Sequence, residues 1–216
     1  MPLTPSDASK QMREICALAP VVPVLVINDA STARPLAEAL AAGGLPALEV
    51  TLRTPAALEA IRLMQGVTGG QVGAGTLLTP QDVRAAKEAG ATFGVSPGAT
   101  DALLAAAEAE GLPLLPGAAT ATEAMQLWTR GYDMQKFFPA EASGGAPAVK
   151  AIGAPLPQIT FCPTGGVTPS NAGHYLNLDN VLCVGGSWVA PDALIRAQDW
   201  AAIEALAQEA RQMPRA

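Results

Sequence analysis

Two residue patterns alternate along the chain. Short runs of β-branched and other apolar residues are followed by longer Ala- and Leu-rich stretches with helical spacing, and Gly or Pro marks the joins. The short runs predict eight strands, at residues 22–27, 47–52, 71–76, 93–97, 112–116, 134–138, 159–163 and 181–184. The longer stretches predict a leading helix at about residues 5–18 and further helices that begin near Ser31, Thr54, Thr79, Thr100, Thr120, Ser143, Thr168 and Gln198.

Several of the predicted helices begin with a capping signal. A Ser or Thr side chain before the first turn accepts a hydrogen bond from a backbone N–H group, and Pro is favoured at the first helical position. The pairs Thr54-Pro55, Thr79-Pro80 and Thr168-Pro169 fit both preferences. We therefore expect a helix to start at each of these three pairs.

Eight strands that are each followed by a helix are typical of a (β/α)8 TIM barrel. The sequence thus predicts an α/β protein with a single (β/α)8 barrel domain over residues 1–216 and an extra N-terminal helix. An open doubly wound sheet is the competing fold, but its dinucleotide-binding pattern is incomplete, because Gly73-Ala74-Gly75 lacks the final glycine. The phosphate-binding loop pattern of nucleoside triphosphatases is also absent from the sequence.

Composition narrows the choice of partners and location. Half of the 216 residues are hydrophobic, which permits a large core, and the net charge of −6 argues against a nucleic-acid surface. The longest apolar run near the start, residues 21–27, is far shorter than the ~20 residues that span a bilayer, and no export signal precedes it. Cys16, Cys162 and Cys183 have neither disulfide nor metal-binding spacing. We expect a cytoplasmic protein with free thiols and a small-molecule substrate, and neither a nucleic acid nor a membrane as partner.

His174 is the only histidine in the chain. Zinc and iron sites usually draw on several histidines or cysteines. We therefore expect no metal and no cofactor, which disfavours a metal-dependent sugar-phosphate epimerase.

Lys136 lies in the apolar run Met134-Gln135-Lys136-Phe137-Phe138. A lysine removed from water loses the hydration of its ammonium form, and a neutral amine can attack a carbonyl group to form a Schiff base. The alternative is a lysine whose methylene groups cover apolar surface while its ammonium group returns to water. Strand alternation places Lys136 and Phe138 on the face of Met134, opposite Gln135 and Phe137, so Lys136 can point into the barrel.

The second predicted strand carries its polar residues on one face. Alternation puts Glu49, Thr51 and Arg53 together, while their neighbours face the helices. Because reactive groups of a barrel lie at the C-terminal ends of strands, these residues and Thr76 are candidates for a polar site. Two other interpretations stay open: Glu49 and Arg53 could form an ion pair that only closes the barrel, and Thr76 could be a helix cap.

Two glycine pairs follow the last two predicted strands. Gly165-Gly166 comes after the seventh strand, and Gly185-Gly186-Ser187 comes after the eighth. Glycine lets backbone N–H groups approach an anion, and in barrels the phosphate-binding site is usually formed by the loops after strands seven and eight. Together the pairs predict phosphate binding, although each alone could be a tight turn.

Seven segments of the chain together resemble a known family. They are Val21-Val22-Pro23-Val24, Leu48-Glu49-Val50-Thr51-Leu52-Arg53, Val72-Gly73-Ala74-Gly75-Thr76, Ser96-Pro97-Gly98, Lys136-Phe137-Phe138-Pro139-Ala140-Glu141, Cys162-Pro163-Thr164-Gly165-Gly166 and Val184-Gly185-Gly186-Ser187-Trp188. The family is that of the 2-keto-3-deoxy-6-phosphogluconate (KDPG) aldolases, which also act on 4-hydroxy-2-oxoglutarate (KHG). The resemblance implies a metal-independent class I (Schiff-base) aldolase of the Entner–Doudoroff pathway, usually a homotrimer, that releases pyruvate and glyceraldehyde 3-phosphate from KDPG.

The resemblance also implies roles for individual residues. Lys136 matches the Schiff-base lysine and Glu49 the residue that transfers protons. The positions that contact substrate correspond to Arg53, Thr76, Pro97 and Thr164, with Phe138 above Lys136, and the phosphate-binding positions correspond to Gly165, Gly166, Gly186 and Ser187.

Two segments depart from the family pattern. Gly117-Ala118-Ala119-Thr120 stands where many members have a bulkier Gly-Ile-Ser-Thr, and Asn28-Asp29 lacks a basic residue that some members have. Both changes bear on substrate preference, since neither touches Lys136 or Glu49. The alternative functions are another phosphate-binding barrel enzyme, such as a sugar-phosphate epimerase or isomerase, a non-catalytic barrel that binds a small acid, and a metal-dependent aldolase.

Overall fold

The computed structural model describes residues 2–215, in which parallel strands alternate with helices. The strands are β1 (Val21–Leu25), β2 (Ala47–Thr51), β3 (Gln71–Gly75), β4 (Phe93–Val95), β5 (Leu114–Leu115), β6 (Gly117–Ala118), β7 (Met134–Phe137), β8 (Thr160–Pro163) and β9 (Val184–Gly186). The α-helices are α1 (Pro5–Ala17), α2 (Ala33–Ala42), α3 (Ala57–Met64), α4 (Pro80–Glu88), α5 (Asp101–Glu110), α6 (Ala121–Arg130), α7 (Gly145–Gly153), α8 (Ala172–Leu176), α9 (Asp192–Ala197) and α10 (Trp200–Arg211). A 3-10 helix, Ala30–Thr32, precedes α2.

The strands form two parallel sheets. Six strands make a curled sheet in the order β5-β4-β3-β2-β1-β9, and three strands make a second sheet in the order β6-β7-β8. Two isolated bridges, Phe161–Val181 and Thr164–Gly185, connect β8 to the segment that contains β9. The predicted α/β class is therefore confirmed.

The fifth predicted strand, residues 112–116, is wrong in its bounds: β5 covers only Leu114–Leu115, and a further short strand that was not predicted, β6, follows Pro116. Proline has no N–H group to donate to a neighbouring strand. Before it, β5 pairs with β4, and after it, β6 pairs with β7, so the chain passes from one sheet to the other at this residue. The predicted strand at residues 181–184 is wrong in its bounds, because β9 begins only at Val184.

Side-chain capping decides where several helices begin. Thr79 and Thr120 cap α4 and α6 with reciprocal capping boxes, and Thr100 caps α5. The structure thus confirms that a helix starts at the Thr79-Pro80 pair.

The helix starts predicted at Thr54 and Thr168 are wrong. Helix α3 begins at residue 57 and α8 at residue 172, and both Thr-Pro pairs lie in turns. The reason is that each hydroxyl is engaged elsewhere: Thr54 Oγ1 donates to the Ile27 carbonyl, and Thr168 Oγ1 bonds with Ser170 Oγ. The last predicted helix is α10, which Asp199 caps, whereas α9 was not predicted.

Apolar residues form two clusters on opposite faces of the strands. The larger cluster fills the space between strands and helices, and Leu48 and Val50 of β2 belong to it. The smaller cluster lies on the other face and is covered by Met12, Ile15 and Cys16 of α1. Because α1 also bonds to the start of β7, where Ser9 Oγ accepts from the Met134 N–H at 2.8 Å, the leading helix covers the N-terminal ends of the strands.

Two expectations from composition can be compared with the fold. Cys16, Cys162 and Cys183 are free and buried, as expected. None of the helices between residues 2 and 215 combines the length and the hydropathy that a membrane span requires.

Candidate active site

A cavity of about 280 Å³ opens at the C-terminal ends of the strands. Its wall contains every residue that the sequence nominated for a site: Glu49, Thr51, Arg53, Thr76, Pro97, Lys136, Phe138, Thr164, Gly165, Gly166, Gly185, Gly186 and Ser187. The fold therefore gathers residues from six strand ends into one pocket, although they are spread over about 140 positions of the chain.

Lys136 and Glu49 form the innermost pair of this cavity. Lys136 Nζ lies 3.4 Å from Glu49 Oε1, and the two side chains are only 7% and 4% exposed. The ring centroid of Phe138 lies 5.1 Å from the same nitrogen. The prediction that Lys136 points inward is confirmed, and the alternative of an amine that returns to bulk water is wrong.

The neighbours of Lys136 on β7 point to the opposite face. Gln135 Nε2 donates to the carbonyl oxygens of Ala124 and Tyr132, at 3.0 and 2.8 Å. The Phe137 ring packs edge-to-face against Phe161, with centroids 6.1 Å apart. Strand alternation on β7 therefore sends every second side chain to the helices and Lys136 to the cavity.

Burial raises the pKa of Glu49 above the ordinary value of 4.5, because the surrounding protein solvates a carboxylate less well than water does. The charge and hydrogen bond of Lys136 and the charge of Arg53 oppose this effect, and Cys162 adds to it. Gly75 on β3 makes room for the carboxyl group, since a Cβ atom at this position would overlap the Glu49 side chain. Glu49 is thus a carboxyl group that can accept and return a proton next to an amine.

The structure also settles two interpretations that the sequence left open. Glu49 forms its ion pair with Lys136, and residues 2–215 contain no salt bridge between Glu49 and Arg53. Helix α4 is capped by Thr79, so Thr76 is not its cap. Thr76 instead has φ of 62° at the cavity wall, a left-handed conformation that is uncommon for threonine and frequent at functional sites.

Gly165 and Gly166 form a turn with φ values of 100° and 78°. Their carbonyl groups are bonded, since the Glu141 N–H donates to Gly165 O at 3.0 Å and Asn171 Nδ2 donates to Gly166 O at 3.1 Å. Over residues 2–215, the N–H groups of Gly166 and Val167 donate to no other group, whereas the N–H group of Gly165 faces Gly185 across the Thr164–Gly185 bridge. Two successive free N–H groups at a cavity wall are the kind of arrangement that binds an anion.

Ser187 is exposed at the same wall and follows Gly186 at the end of β9. A side chain at Gly186 would overlap the Trp188 ring, so only glycine fits between this strand end and that ring. The hydroxyl and the backbone of this segment are therefore available to a ligand beside the Gly165–Gly166 turn.

Two residues of the wall were not nominated from the sequence: Val24 and Val167. Alternation along β1 was the available signal for Val24. Thr51, which was nominated with Glu49 and Arg53, has its hydroxyl bonded to the Leu25 carbonyl at 2.8 Å. Val167 carries no local signal, because it lines the cavity only through the turn that precedes it.

The three cysteine side chains lie near the deep end of the site. All three belong to the smaller apolar cluster, and Cys162 Sγ lies 3.9 Å from Thr164 Oγ1. In the described part of the chain, no group of three or more His, Cys, Asp or Glu side chains is arranged to hold a metal ion.

Comparisons with a family model and with known proteins point to the same family. Residues 12–206 match the family model described as KDPG and KHG aldolase. The KHG/KDPG aldolase of Escherichia coli strain K12 is 49% identical over 197 residues, which cover 91% of this chain and 92% of that protein.

Two solved structures are similar in both fold and sequence. The KDPG aldolase of Zymomonas mobilis ZM4, solved with 3-phosphoglycerate, has a TM-score of 0.92 and 51% identity, covering 96% of this chain and 98% of that chain. The KDPG aldolase of Legionella pneumophila, solved with pyruvate captured as a covalent carbinolamine intermediate, has a TM-score of 0.89 and 45% identity, covering 93% of this chain and 98% of that chain.

Proposed function

This chain belongs to the KDPG and KHG aldolase family, and on that premise we propose that it cleaves KDPG to pyruvate and glyceraldehyde 3-phosphate through a Schiff base on Lys136. The observation that carries the proposal is the 3.4 Å contact between a buried amine and a buried carboxyl group, Lys136 and Glu49, at the open end of the strands. Formation of a carbinolamine by pyruvate in the similar Legionella protein supports the same chemistry here.

The reaction begins when the free amine of Lys136 attacks the C2 ketone of KDPG. Loss of water from the carbinolamine gives an iminium group, which accepts the electron pair of the bond between C3 and C4. Glu49 takes the proton of the C4 hydroxyl as this bond breaks, so that glyceraldehyde 3-phosphate leaves as an aldehyde. The enamine is then protonated at C3, and water hydrolyses the resulting iminium to pyruvate and the free amine.

The two ends of the substrate are proposed to bind at opposite sides of this pair. Arg53, Thr76 and Thr164 hold the carboxylate next to the ketone, since a guanidinium group matches a carboxylate in geometry and charge. Pro97 and Phe138 supply apolar contacts beside the reacting carbons.

The phosphate group is proposed to bind at the two glycine segments. Beside Gly165, Gly166 and Val167 offer unbonded N–H groups, and Gly186 and Ser187 add the backbone of the neighbouring strand end and a hydroxyl. The 3-phosphoglycerate in the similar Zymomonas structure shows that a relative accepts a phosphorylated three-carbon acid.

Trapping with borohydride tests this function. Incubation with pyruvate and sodium borohydride should reduce the iminium to a stable amine on Lys136, detected as a mass increase of one peptide. Lys136→Ala should lose both the adduct and pyruvate release from KDPG, whereas Lys150→Ala, which removes an exposed lysine of α7, should retain both. An adduct on another lysine, or turnover without Lys136, would overturn the assignment.

The same experiment separates the alternative functions. A sugar-phosphate epimerase or isomerase, or a barrel that only binds a small acid, needs no nucleophilic lysine and should give no adduct. We propose KHG, which would release pyruvate and glyoxylate, as a second substrate, because the E. coli relative bears both substrates in its name. No metal or other cofactor enters the proposed mechanism.

We further propose that the whole chain is one domain and that its two sheets close into one (β/α)8 barrel. Two observations support closure. The bridges Phe161–Val181 and Thr164–Gly185 connect β8 to the β9 segment on one side, and β5 continues into β6 through Pro116 on the other. Counting β5 and β6 as a single interrupted strand gives eight strands around the interior.

We propose that the protein acts as a cytoplasmic homotrimer. Support for self-association comes from Met125 and Trp128, which lie on one face of α6 and are 51% and 45% exposed. Light scattering after size-exclusion chromatography should give three times the chain mass of 21.9 kDa. Trp128→Asp should shift the mass toward one chain if this face is the contact, and a wild-type monomer would refute the assembly.

A further inference from the structure

The Gly165–Gly166 turn is held mainly through its carbonyl groups. Within the described residues the N–H group of Gly166 is unbonded, and that of Gly165 faces Gly185 across the Thr164–Gly185 bridge. The conformation of the turn therefore depends on the groups that bind and pack against its carbonyl side. The Thr164 and Gly165 carbonyls accept from the N–H groups of Ala140 and Glu141, at 2.8 and 3.0 Å. A glycine turn has many accessible conformations, so these restraints determine where its free N–H groups point.

Glu141 packs directly against the second glycine of the turn. A Cβ atom placed on Gly166 would lie 2.7 Å from both Cβ and Cγ of Glu141, which leaves no space between the two residues. Asn171, which directly precedes α8, holds the same glycine through a hydrogen bond. Its Nδ2 donates to Gly166 O at 3.1 Å, and its Oδ1 accepts from the Thr168 N–H at 2.7 Å.

The hydroxyl of Tyr175 holds the carboxylate of Glu141. Tyr175 lies on α8, is 1% exposed, and donates its hydroxyl hydrogen to Glu141 Oε1. Burial, together with this carboxylate, raises the pKa of the Tyr175 hydroxyl, so it remains a donor at neutral pH.

This contact also determines where a negative charge lies. Glu141 is absent from the wall of the Lys136 cavity and lines a separate surface pocket with Asn171 and Tyr175, on the other side of the turn. A carboxylate that swung toward the phosphate seat would repel a phosphate group. The Tyr175 hydroxyl therefore both braces the turn and keeps a like charge away from the bound ligand.

We propose that Tyr175, acting through Glu141, and Asn171 are positioning residues that hold the Gly165–Gly166 turn in its phosphate-binding conformation. This proposal rests on the proposed function, in which the phosphate group of the substrate binds at the two glycine segments. It predicts that both residues affect the phosphorylated end of the substrate and leave the chemistry at Lys136 unchanged.

The test compares substrates with and without phosphate. Tyr175→Phe and Asn171→Ala should each raise KM for KDPG by about tenfold, the typical effect of losing one hydrogen bond of this kind, with kcat nearly constant. KM for KHG and the yield of the borohydride adduct with pyruvate should stay within twofold of wild type. Inhibition of KHG cleavage by inorganic phosphate should weaken in both variants.

The chain offers a matched control for each variant. Tyr132 is a second buried tyrosine that donates to a carboxylate, Glu108 Oε1 at 3.2 Å, and Asn180 Nδ2 donates to the Val149 carbonyl at 3.1 Å. Neither residue lines the Lys136 cavity, so Tyr132→Phe and Asn180→Ala should leave the ratio of the two KM values unchanged.

Two results would overturn the positioning roles. One is an equal rise in KM for KDPG and KHG in either variant, which would indicate a general structural effect. The other is a KDPG KM within twofold of wild type in both variants. If the wild-type protein releases no pyruvate from KDPG, the proposed function and the positioning roles are both refuted. If it cleaves KDPG but the variants change KM for KDPG and KHG alike, only the positioning roles are refuted.

Discussion

Replacement of Glu49 by glutamine gives the sharpest test of the mechanism. The change keeps the size of the side chain but removes a buried carboxylate 3.4 Å from the Lys136 amine. Glutamine can neither accept the C4 hydroxyl proton nor carry the charge that faces an ammonium group. We therefore expect carbon–carbon cleavage to suffer while condensation with a ketone remains possible.

The size of the effect follows from the geometry of the pair. Two unit charges 3.4 Å apart attract by on the order of 5 kcal/mol at an effective dielectric constant of about 20. Because removing each ion from water costs several kcal/mol, the pair adds little net stability. Loss of a positioned base typically slows a reaction by about 10²–10⁴-fold, which corresponds to roughly 3–5 kcal/mol of transition-state stabilisation. Removing one partner of a buried pair typically costs about 3–5 kcal/mol of stability, because the other charge is left uncompensated, so the activity of the variant is compared with wild type at a temperature where both are folded.

Two assays separate these effects. Lactate dehydrogenase and NADH report pyruvate release from KDPG, and borohydride trapping with saturating pyruvate reports imine formation. Glu49→Gln should lower kcat/KM by about 10²–10⁴-fold and still yield the Lys136 adduct. Glu108→Gln is the control, since Glu108 pairs with Arg130 outside the cavity and its loss should change kcat/KM less than twofold. Wild-type activity in Glu49→Gln, or equal loss of cleavage and adduct, would refute the role of Glu49 in proton transfer.

Three further outcomes are expected. Burial raises the pKa of Glu49, and only its carboxylate form accepts the proton, so kcat/KM should decline as the pH falls through a value above 4.5. This decline should be absent in Glu49→Gln. A decline of wild-type kcat/KM centred at or below pH 4.5 would contradict the assignment. Ser187→Ala should raise KM for KDPG by a larger factor than it raises the pyruvate concentration that gives half-maximal trapping. Equal factors for the two quantities would show that the phosphate group binds elsewhere. Dialysis against EDTA should leave KDPG cleavage unchanged, whereas loss of activity that returns with a divalent metal would favour a metal-dependent aldolase.

The sequence alone determined the alternation of elements and the faces of the strands. Side chains on a strand point alternately to its two faces, so Lys136 could be separated from Gln135 and Phe137 without coordinates. The same reasoning put Glu49 on the inner face of β2. Capping at Thr79, Thr100 and Thr120 was also predictable, because the bonds join residues three positions apart.

Errors arose where a distant residue competes for a local group. Thr54 resembles a helix cap, but its hydroxyl bonds to the Ile27 carbonyl 27 positions earlier in the chain. The fifth predicted strand ends at Pro116, yet a second short strand follows directly, because one sheet pairs with the residues before this proline and the other sheet with the residues after it. Local patterns carry no information about such partners.

Only the tertiary structure decided which charged groups meet. Lys136 and Glu49 are 87 residues apart, and neither strand indicates that the amine and the carboxyl group come within 3.4 Å. The unbonded N–H groups of Gly166 and Val167, and the contact of Tyr175 with Glu141, likewise exist only after distant segments have packed. The physical reason is that periodicity and capping act within a few residues, whereas burial, ion pairing and free hydrogen-bond donors depend on every segment that surrounds a group in space.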